Sequence, residues 1–225
     1  MAHAYVLRVW IPDRPGALGA LASRIGAVGG DVVGIDILER GAGRAIDEIS
    51  VELPDPSLTE LLLAEIREVD GIDVESIRPT TRSVHDPRLD ALETAAMLVG
   101  ARTTDDAVSE LCIRSRLSIG AEWSAVVSFL DGTLVASDGA LPPVAWIAAF
   151  VAGTRHTESG DSGMQGDDIT WAPMYAADAA LVLGRDGGEF RARERRQVAA
   201  LARIVDARFA DLRRSARPER ESASR

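Results

Sequence analysis

The sequence is poor in several residue types that specialised chemistry requires. Its 225 residues include no lysine and no asparagine, so all 25 basic residues are arginine. The absence of lysine excludes a P-loop phosphate site and Schiff-base chemistry, because both depend on a lysine amine. Cys112 is the only cysteine, which excludes an internal disulfide and every zinc site built on cysteine thiolates.

Long apolar runs are missing as well. No stretch approaches the ~18–20 residues of a membrane-spanning helix, and the first residues carry no charged leader of the signal-peptide kind. We therefore expect a cytoplasmic protein without a membrane partner. The net charge of −10 argues against nucleic acid as a partner, since such binding relies on clustered positive charge. Apolar residues make up 46% of the chain, which is ample material for hydrophobic cores.

The first eighty residues alternate between strand and helix patterns. Polar and apolar residues alternate over 5–11, 32–38, 45–53 and 72–77, as in half-buried strands. Apolar residues at helical spacing lie between the first and second of these strands and between the third and fourth. The order predicts the split βαβ plan of a ferredoxin-like sandwich, an α+β fold with both helices on one sheet face. We assign Val6, Trp10 and Val32 to the other face, where their apolar surface favours cover by a second subunit or domain.

The second half has a different order of predicted helices and strands, and it begins after a polar, proline-containing linker at residues 80–88. Helices are predicted over 89–99, 104–112 and 142–150, a hairpin over 123–137, strands over 169–174 and 179–184, and a long helix over 190–212. The apolar stripe of the first of these helices is predicted to pack against the long helix or against a second copy. The predicted domains are thus 1–79 and 89–213, with a disordered tail at 214–225.

The segment from Val9 to Leu18 carries Asp13-Arg14-Pro15-Gly16, and it is followed by Gly29-Gly30-Asp31-Val32-Val33-Gly34-Ile35. Over residues 4–80 the chain resembles the ACT domain, a regulatory βαββαβ module of amino-acid metabolism. The resemblance implies a homodimer with an amino acid bound between this loop of one subunit and the start of the second strand of another. The ligand-binding residues that it implies are Ile11, Asp13, Arg14, Gly16, Asp31 and Val32.

Elementary physics supports a ligand at this loop independently. A strand that turns into a helix directs backbone N–H groups at one point, where the helix dipole attracts a carboxylate. Gly16 permits close approach to the backbone, and Asp13 and Asp31 provide acceptors for an ammonium group. The same residues also make a good turn and helix cap with no ligand at all, so a scaffold that only dimerises stays open as an alternative.

The second half resembles a GAF-type sensor domain over residues 88–213. Trp123-Ser124-Ala125-Val126-Val127 resembles its first strand, and Ala180-Leu181-Val182-Leu183-Gly184 before a long helix resembles its last. The resemblance implies a pocket for a second metabolite, which Trp146 and Trp171 would line and the loop at 156–168 would cover. Neither a cofactor nor a metal ion is expected, and Cys112 is predicted to be a buried hydrophobe.

Several motifs are assigned no chemistry. Gly160-Asp161-Ser162-Gly163 matches the tetrad around a serine-protease nucleophile, but the required base and orienting acid are missing, so we predict a loop. The acidic residues of 156–168 lack the spacing of a calcium loop. The arginines between 191 and 214 alternate with carboxylates, which predicts a solvated helix face. We therefore expect a sensor without catalytic residues whose state a partner protein reads; an enzyme using the second-domain pocket stays open as a less favoured alternative.

Overall fold

Two antiparallel sheets organise the chain, one in each half. The structure is a computed structural model, and it describes residues 3–80, 87–154, 168–186 and 188–215. The chain divides into two units, residues 1–87 and 88–225. Each unit is described separately below.

The first unit has the four strands and two helices that its apolar periodicity predicts. Its sheet has the order β2-β3-β1-β4, so the two central strands are the first and third along the chain. The Asp55 carboxylate accepts a hydrogen bond from the Ser57 N–H at 2.8 Å and starts a short 3-10 turn before the second helix. The elements are β1 (His3–Pro12), α1 (Ala17–Ala27), β2 (Asp31–Gly41), β3 (Arg44–Leu53), α2 (Thr59–Arg67) and β4 (Asp73–Thr80).

Both helices of the first unit cover the same face of the sheet, which confirms the ferredoxin-like prediction. Leu18 and Leu61 are 37% and 48% exposed, because Ala17 and Leu62 occupy the inward positions of the two helices. Val32 also packs on this helix side, so its assignment to the opposite face is wrong. The fully buried residues between sheet and helices are Leu7, Val9, Leu21, Ile25, Val51, Leu53, Leu62 and Ile66.

The opposite face of this sheet carries a charged network. The Arg8 side chain is only 4% exposed, and its Nη2 donates to Glu48 Oε1 at 2.7 Å. Glu48 also accepts from Arg78 Nη2 at 2.9 Å, and Trp10 Nε1 donates to Glu75 Oε2 at 2.9 Å. The face on which the sequence placed the apolar surface of Val6 and Trp10 therefore also carries partly buried ion pairs and hydrogen bonds.

The second unit has the sheet order β6-β5-β8-β7, with helices packed on both faces. Val126 and Leu181 face the side of the fourth and sixth helices, whereas Ala125 and Val182 face the side of the fifth. Burial on both faces explains the continuous apolar runs of the two central strands. The elements are α3 (Pro87–Gly100), α4 (Thr104–Ile119), β5 (Trp123–Ser128), β6 (Leu134–Gly139), α5 (Val144–Thr154), β7 (Ile169–Met174), β8 (Ala179–Gly184) and α6 (Ala192–Ser215).

The apolar stripe predicted for helix α3 does not contact the long helix, whereas its contact with a second copy stays a prediction. The predicted contact residues Leu89, Leu92 and Val99 are 53%, 70% and 56% exposed. Leu98 is fully buried instead, in the same cluster as the apolar residues of α4 and α6. The predicted packing of the Leu89–Val99 stripe against the long helix is therefore wrong, because the neighbouring helices contact the face that contains Leu98.

A buried ion pair joins the end of β8 to the start of α6. Arg185 forms two hydrogen bonds with Glu194, at 2.8 and 2.9 Å, and both side chains are less than one-tenth exposed. The Arg185 guanidinium also donates to the backbone carbonyls of Gly188, Glu189 and Ile119. Glu194 in turn accepts the Arg191 backbone N–H at 2.6 Å, as a cap for the first turn of the helix.

Candidate functional site

The turn between β1 and α1 lies at one end of the first sheet. The Asp13 N–H donates to the Gly43 carbonyl at 2.9 Å, which fixes the turn against the loop between β2 and β3. Gly16 then adopts φ +88°, a conformation that favours glycine strongly over other residues. Asp13, Arg14 and Gly16 are all exposed there, as the ligand prediction requires.

The N-terminus of α1 is open. Gly16 provides no side-chain cap, and the first turn contains no acidic residue. Among the described residues, the backbone N–H groups of Leu18 and Gly19 form no hydrogen bond, whereas the Ala17 N–H donates to Arg14 O at 3.3 Å. A Cβ built at Gly16 or Gly19 would meet no atom within 4 Å. The turn thus presents two free donors at the positive end of a helix dipole, in open space.

The predicted site residues do not all gather at this turn. Ile11 is only 3% exposed and belongs to the hydrophobic core, so its side chain is unavailable to a ligand. Asp31 lies level with Ala4 through their shared partner Glu52, at the far end of the sheet from Pro12. Eight residues of strand separate the two ends, roughly 26 Å at about 3.3 Å per residue. Asp31 and Val32 can therefore join the turn only from a second copy of the chain.

Sequence reasoning missed one charged residue near the turn, Asp47 on β3. Its side chain is on the helix-covered face, opposite Val9 of β1, and the residue is only 5% exposed. Burial raises the pKa of the Asp47 carboxyl above its ordinary 3.8; Arg40 lowers that pKa and Asp13 raises it further. The sequence does indicate that Asp47 is buried, because every second residue of a strand faces the same side and Asp47 therefore shares the side of Ile49 and Val51.

The two tryptophans proposed for the second pocket have different environments. Trp171 of β7 is half-buried and packs with the cluster on the α5 side of the sheet. Trp146 of α5 is 45% exposed, and its ring stacks on Phe150 with centroids 6.0 Å apart. Most of the acidic loop expected to cover this side, including the Gly160–Gly163 tetrad, is outside the described residues.

The described residues contain no reactive thiol and no cluster that could hold a metal ion. Burial raises the pKa of the Cys112 thiol to about 12, and the side chain is fully buried, as predicted. No cluster of three potential metal-ligating side chains occurs in the described parts of the chain. Within those same parts, no helix is long and apolar enough to cross a membrane.

The arginines of the last helix differ partly from the solvated face that was predicted. Arg191, just before α6, is only 8% exposed. Arg208 is half-buried, and its Nε and Nη2 donate to the Ala101 carbonyl at 3.0 and 2.7 Å. The Arg208 side chain thus links α6 to the end of α3, whereas Arg196 and Arg214 are exposed as expected.

Comparison with known proteins identifies the first unit. Residues 5–71 match the family model described as ACT domain. The ACT domain from GTP pyrophosphokinase of Chlorobium tepidum is 13% identical with a TM-score of 0.29, covering 38% of this chain and 93% of that chain. None of the curated proteins matches this chain.

Bacteriophytochrome structures from R. palustris also align. The chromophore-binding domain is 10% identical with a TM-score of 0.39, covering 95% of each chain. A longer bacteriophytochrome structure is 11% identical with a TM-score of 0.42; the alignment covers 80% of this chain and 42% of that one.

The sheet order, the two helices on one face and the family match agree on the first unit. The second unit contains the strands and the long C-terminal helix that the GAF resemblance implied. Residues 5–71 are therefore an ACT domain, followed in the chain by a second α/β domain with a long C-terminal helix.

Proposed function

We propose that this protein is a small-molecule sensor whose ACT domain binds a free amino acid at the β1–α1 turn. The observation that carries the proposal is the open N-terminus of α1, where the N–H groups of Leu18 and Gly19 have no partner among the described residues. A carboxylate is the group that such donors and the helix dipole favour. Gly16 leaves room for it, because the turn has no side chain at that point.

The proposed active form is a homodimer. Asp31 and Val32 begin β2, the strand at one edge of the sheet in the order β2-β3-β1-β4, at the far end from the turn. A second copy could bring these residues to the turn of the first, which one protomer alone cannot do. Ligand binding would then favour one arrangement of the two copies, provided that the amino acid has different affinities for the alternative arrangements.

The second domain is proposed to bind a further metabolite on the α5 side of its sheet, beside Trp171. A partner protein would read the resulting change in the dimer. The proposed location is the cytoplasm.

A thermal-shift screen with the standard amino acids tests the central proposal. A ligand at 100 times its dissociation constant stabilises a protein by about 2.7 kcal/mol, which such a screen detects readily. We expect at least one amino acid to raise the melting temperature. If none does, the protein is better described as a scaffold that only dimerises.

The Gly16→Ala variant locates the site. Alanine at φ +88° costs roughly 1–2 kcal/mol and adds a methyl group where the amino acid would approach. We expect the variant to fold and to lose the amino-acid shift. Gly26→Ala is the matched control, because Gly26 is in the same helix with open space around it and an ordinary helical conformation. An unchanged shift in Gly16→Ala would place the ligand elsewhere.

A further inference from the structure

We propose that Asp47 receives the ammonium group of the amino acid bound at the β1–α1 turn, so that one protomer holds both charged ends of the ligand. This inference rests on the proposed function and deepens it, since it selects a zwitterionic ligand. It also assigns the amine to a residue of β3 and not to Asp31 of a second copy.

The strand register places Asp47 close to the turn. It pairs with Val9 of β1 and with Ile37 of the edge strand β2, on the face that the helices cover. Two residues away, Ala45 pairs with Ile11, where β1 leads into the turn. Since α1 starts from that turn and packs on the same face, Asp47 is on the side of the sheet over which this helix begins.

One oxygen of the Asp47 carboxylate has no hydrogen-bond partner in the described residues. Its Oδ1 is buried and accepts no hydrogen bond from the described residues. A buried acceptor without a partner costs roughly 1–3 kcal/mol, so such groups in native proteins call for an explanation. An ammonium group supplies the missing hydrogen bond and adds a positive charge to that of Arg40.

The charges around Asp47 favour a cation over an anion. Asp13, in the turn, and Arg40, on β2, are the charged residues that act on the Asp47 carboxyl. Two carboxylates and one guanidinium leave a negative balance when both acids are ionised. A phosphate or a dicarboxylate would be repelled here, whereas an amine would be attracted.

The two ends of the proposed ligand then have separate receptors. The free N–H groups of Leu18 and Gly19 take the carboxylate, and Asp47 takes the ammonium group. Ile37 is 40% exposed beside Asp47, and Leu18 is 37% exposed on α1. These apolar side chains are available to contact an aliphatic side chain of the amino acid.

Binding of the amino acids found in the screen is measured by calorimetry with Asp47→Asn and with Glu39→Gln. Asparagine keeps the shape of the side chain and removes the charge; Glu39 is an exposed carboxylate near the same end of the sheet, and it pairs with Ile46 on the opposite face. We expect Asp47→Asn to weaken binding roughly 10- to 100-fold, the loss of a charged hydrogen bond. Glu39→Gln should bind as tightly as the unmodified protein.

A second measurement needs no variant. The analogue of the same amino acid without its amine keeps the carboxylate and the side chain, and we expect it to bind the unmodified protein at least tenfold more weakly. Equal binding by this analogue, or by Asp47→Asn, overturns the assignment while the proposed function stands. If no amino acid binds the unmodified protein, the proposed function fails and the assignment falls with it.

Discussion

Removal of the Glu194 carboxylate should destabilise the second domain more than any exposed charge does. In Glu194→Ala, the Arg185 guanidinium keeps its positive charge and its burial but loses both hydrogen bonds to the carboxylate. The loss of one partner of a buried ion pair costs about 3–5 kcal/mol. Since Arg185 retains three carbonyl acceptors, we expect the lower end of that range, about 3 kcal/mol.

The assay is chemical or thermal unfolding followed by tryptophan fluorescence. Three of the four tryptophans are in the second domain, so the signal reports mainly on this unit. About 3 kcal/mol corresponds to a fall of roughly 6–12 °C in melting temperature for a protein of this size. The control is Glu110→Ala, which breaks the partly exposed Arg114–Glu110 pair and should cost under about 0.5 kcal/mol.

A double variant separates the charge effect from the loss of packing. Replacement of Arg185 and Glu194 together by methionine removes the unpaired charge, and we expect it to be less destabilising than Glu194→Ala. The interpretation is refuted if Glu194→Ala costs no more than Glu110→Ala. It is also refuted if the double variant loses as much free energy of unfolding as Arg185→Met and Glu194→Met lose together. The pair would then have no interaction energy.

Two further predictions concern the ACT domain. Because burial raises the pKa of Asp47 above 3.8, the folded protein favours the protonated carboxyl, and this stabilisation is lost as the pH rises from 3.8 through the folded pKa. In urea unfolding, the free energy of unfolding of Asp47→Asn should therefore rise relative to that of the unmodified protein as the pH increases through this range. A difference in the free energy of unfolding that does not change with pH would contradict the burial argument. Leu21→Ala should cost about 2–5 kcal/mol because Leu21 is fully buried, whereas Leu18→Ala, on the same helix but 37% exposed, should cost much less. Equal costs in thermal unfolding would mean that the buried stripe of α1 is misassigned.

Part of the candidate site was predictable from the sequence because its signals are local. Asp13 and Gly16 are in a turn whose residue types fix the backbone, and both lie in the open turn as expected. Asp47 was not predicted, although its parity with Ile49 places it on the buried face. A sequence pattern does not show whether a buried carboxylate has a partner, because the partner comes from another element.

Helix α3 also shows what the sequence predicts and what it leaves open. Its sequence is apolar on more than one side, so spacing alone predicts the helix but not the side that contacts the rest of the unit. The neighbouring helices cover Leu98 and leave Leu92 exposed.

The sequence by itself determined the order of strands and helices, the core face of β1 and the glycine turn that opens α1. Each of these follows from the spacing or the conformational range of neighbouring residues. Only the tertiary structure decided that Asp31 is remote from Asp13 in one protomer, that Asp47 is buried without a partner for its Oδ1 in the described residues, and that Arg185 pairs with Glu194. These relations join residues from different elements, and only the strand pairing and the packing of helices on the sheets determine how far apart such residues lie.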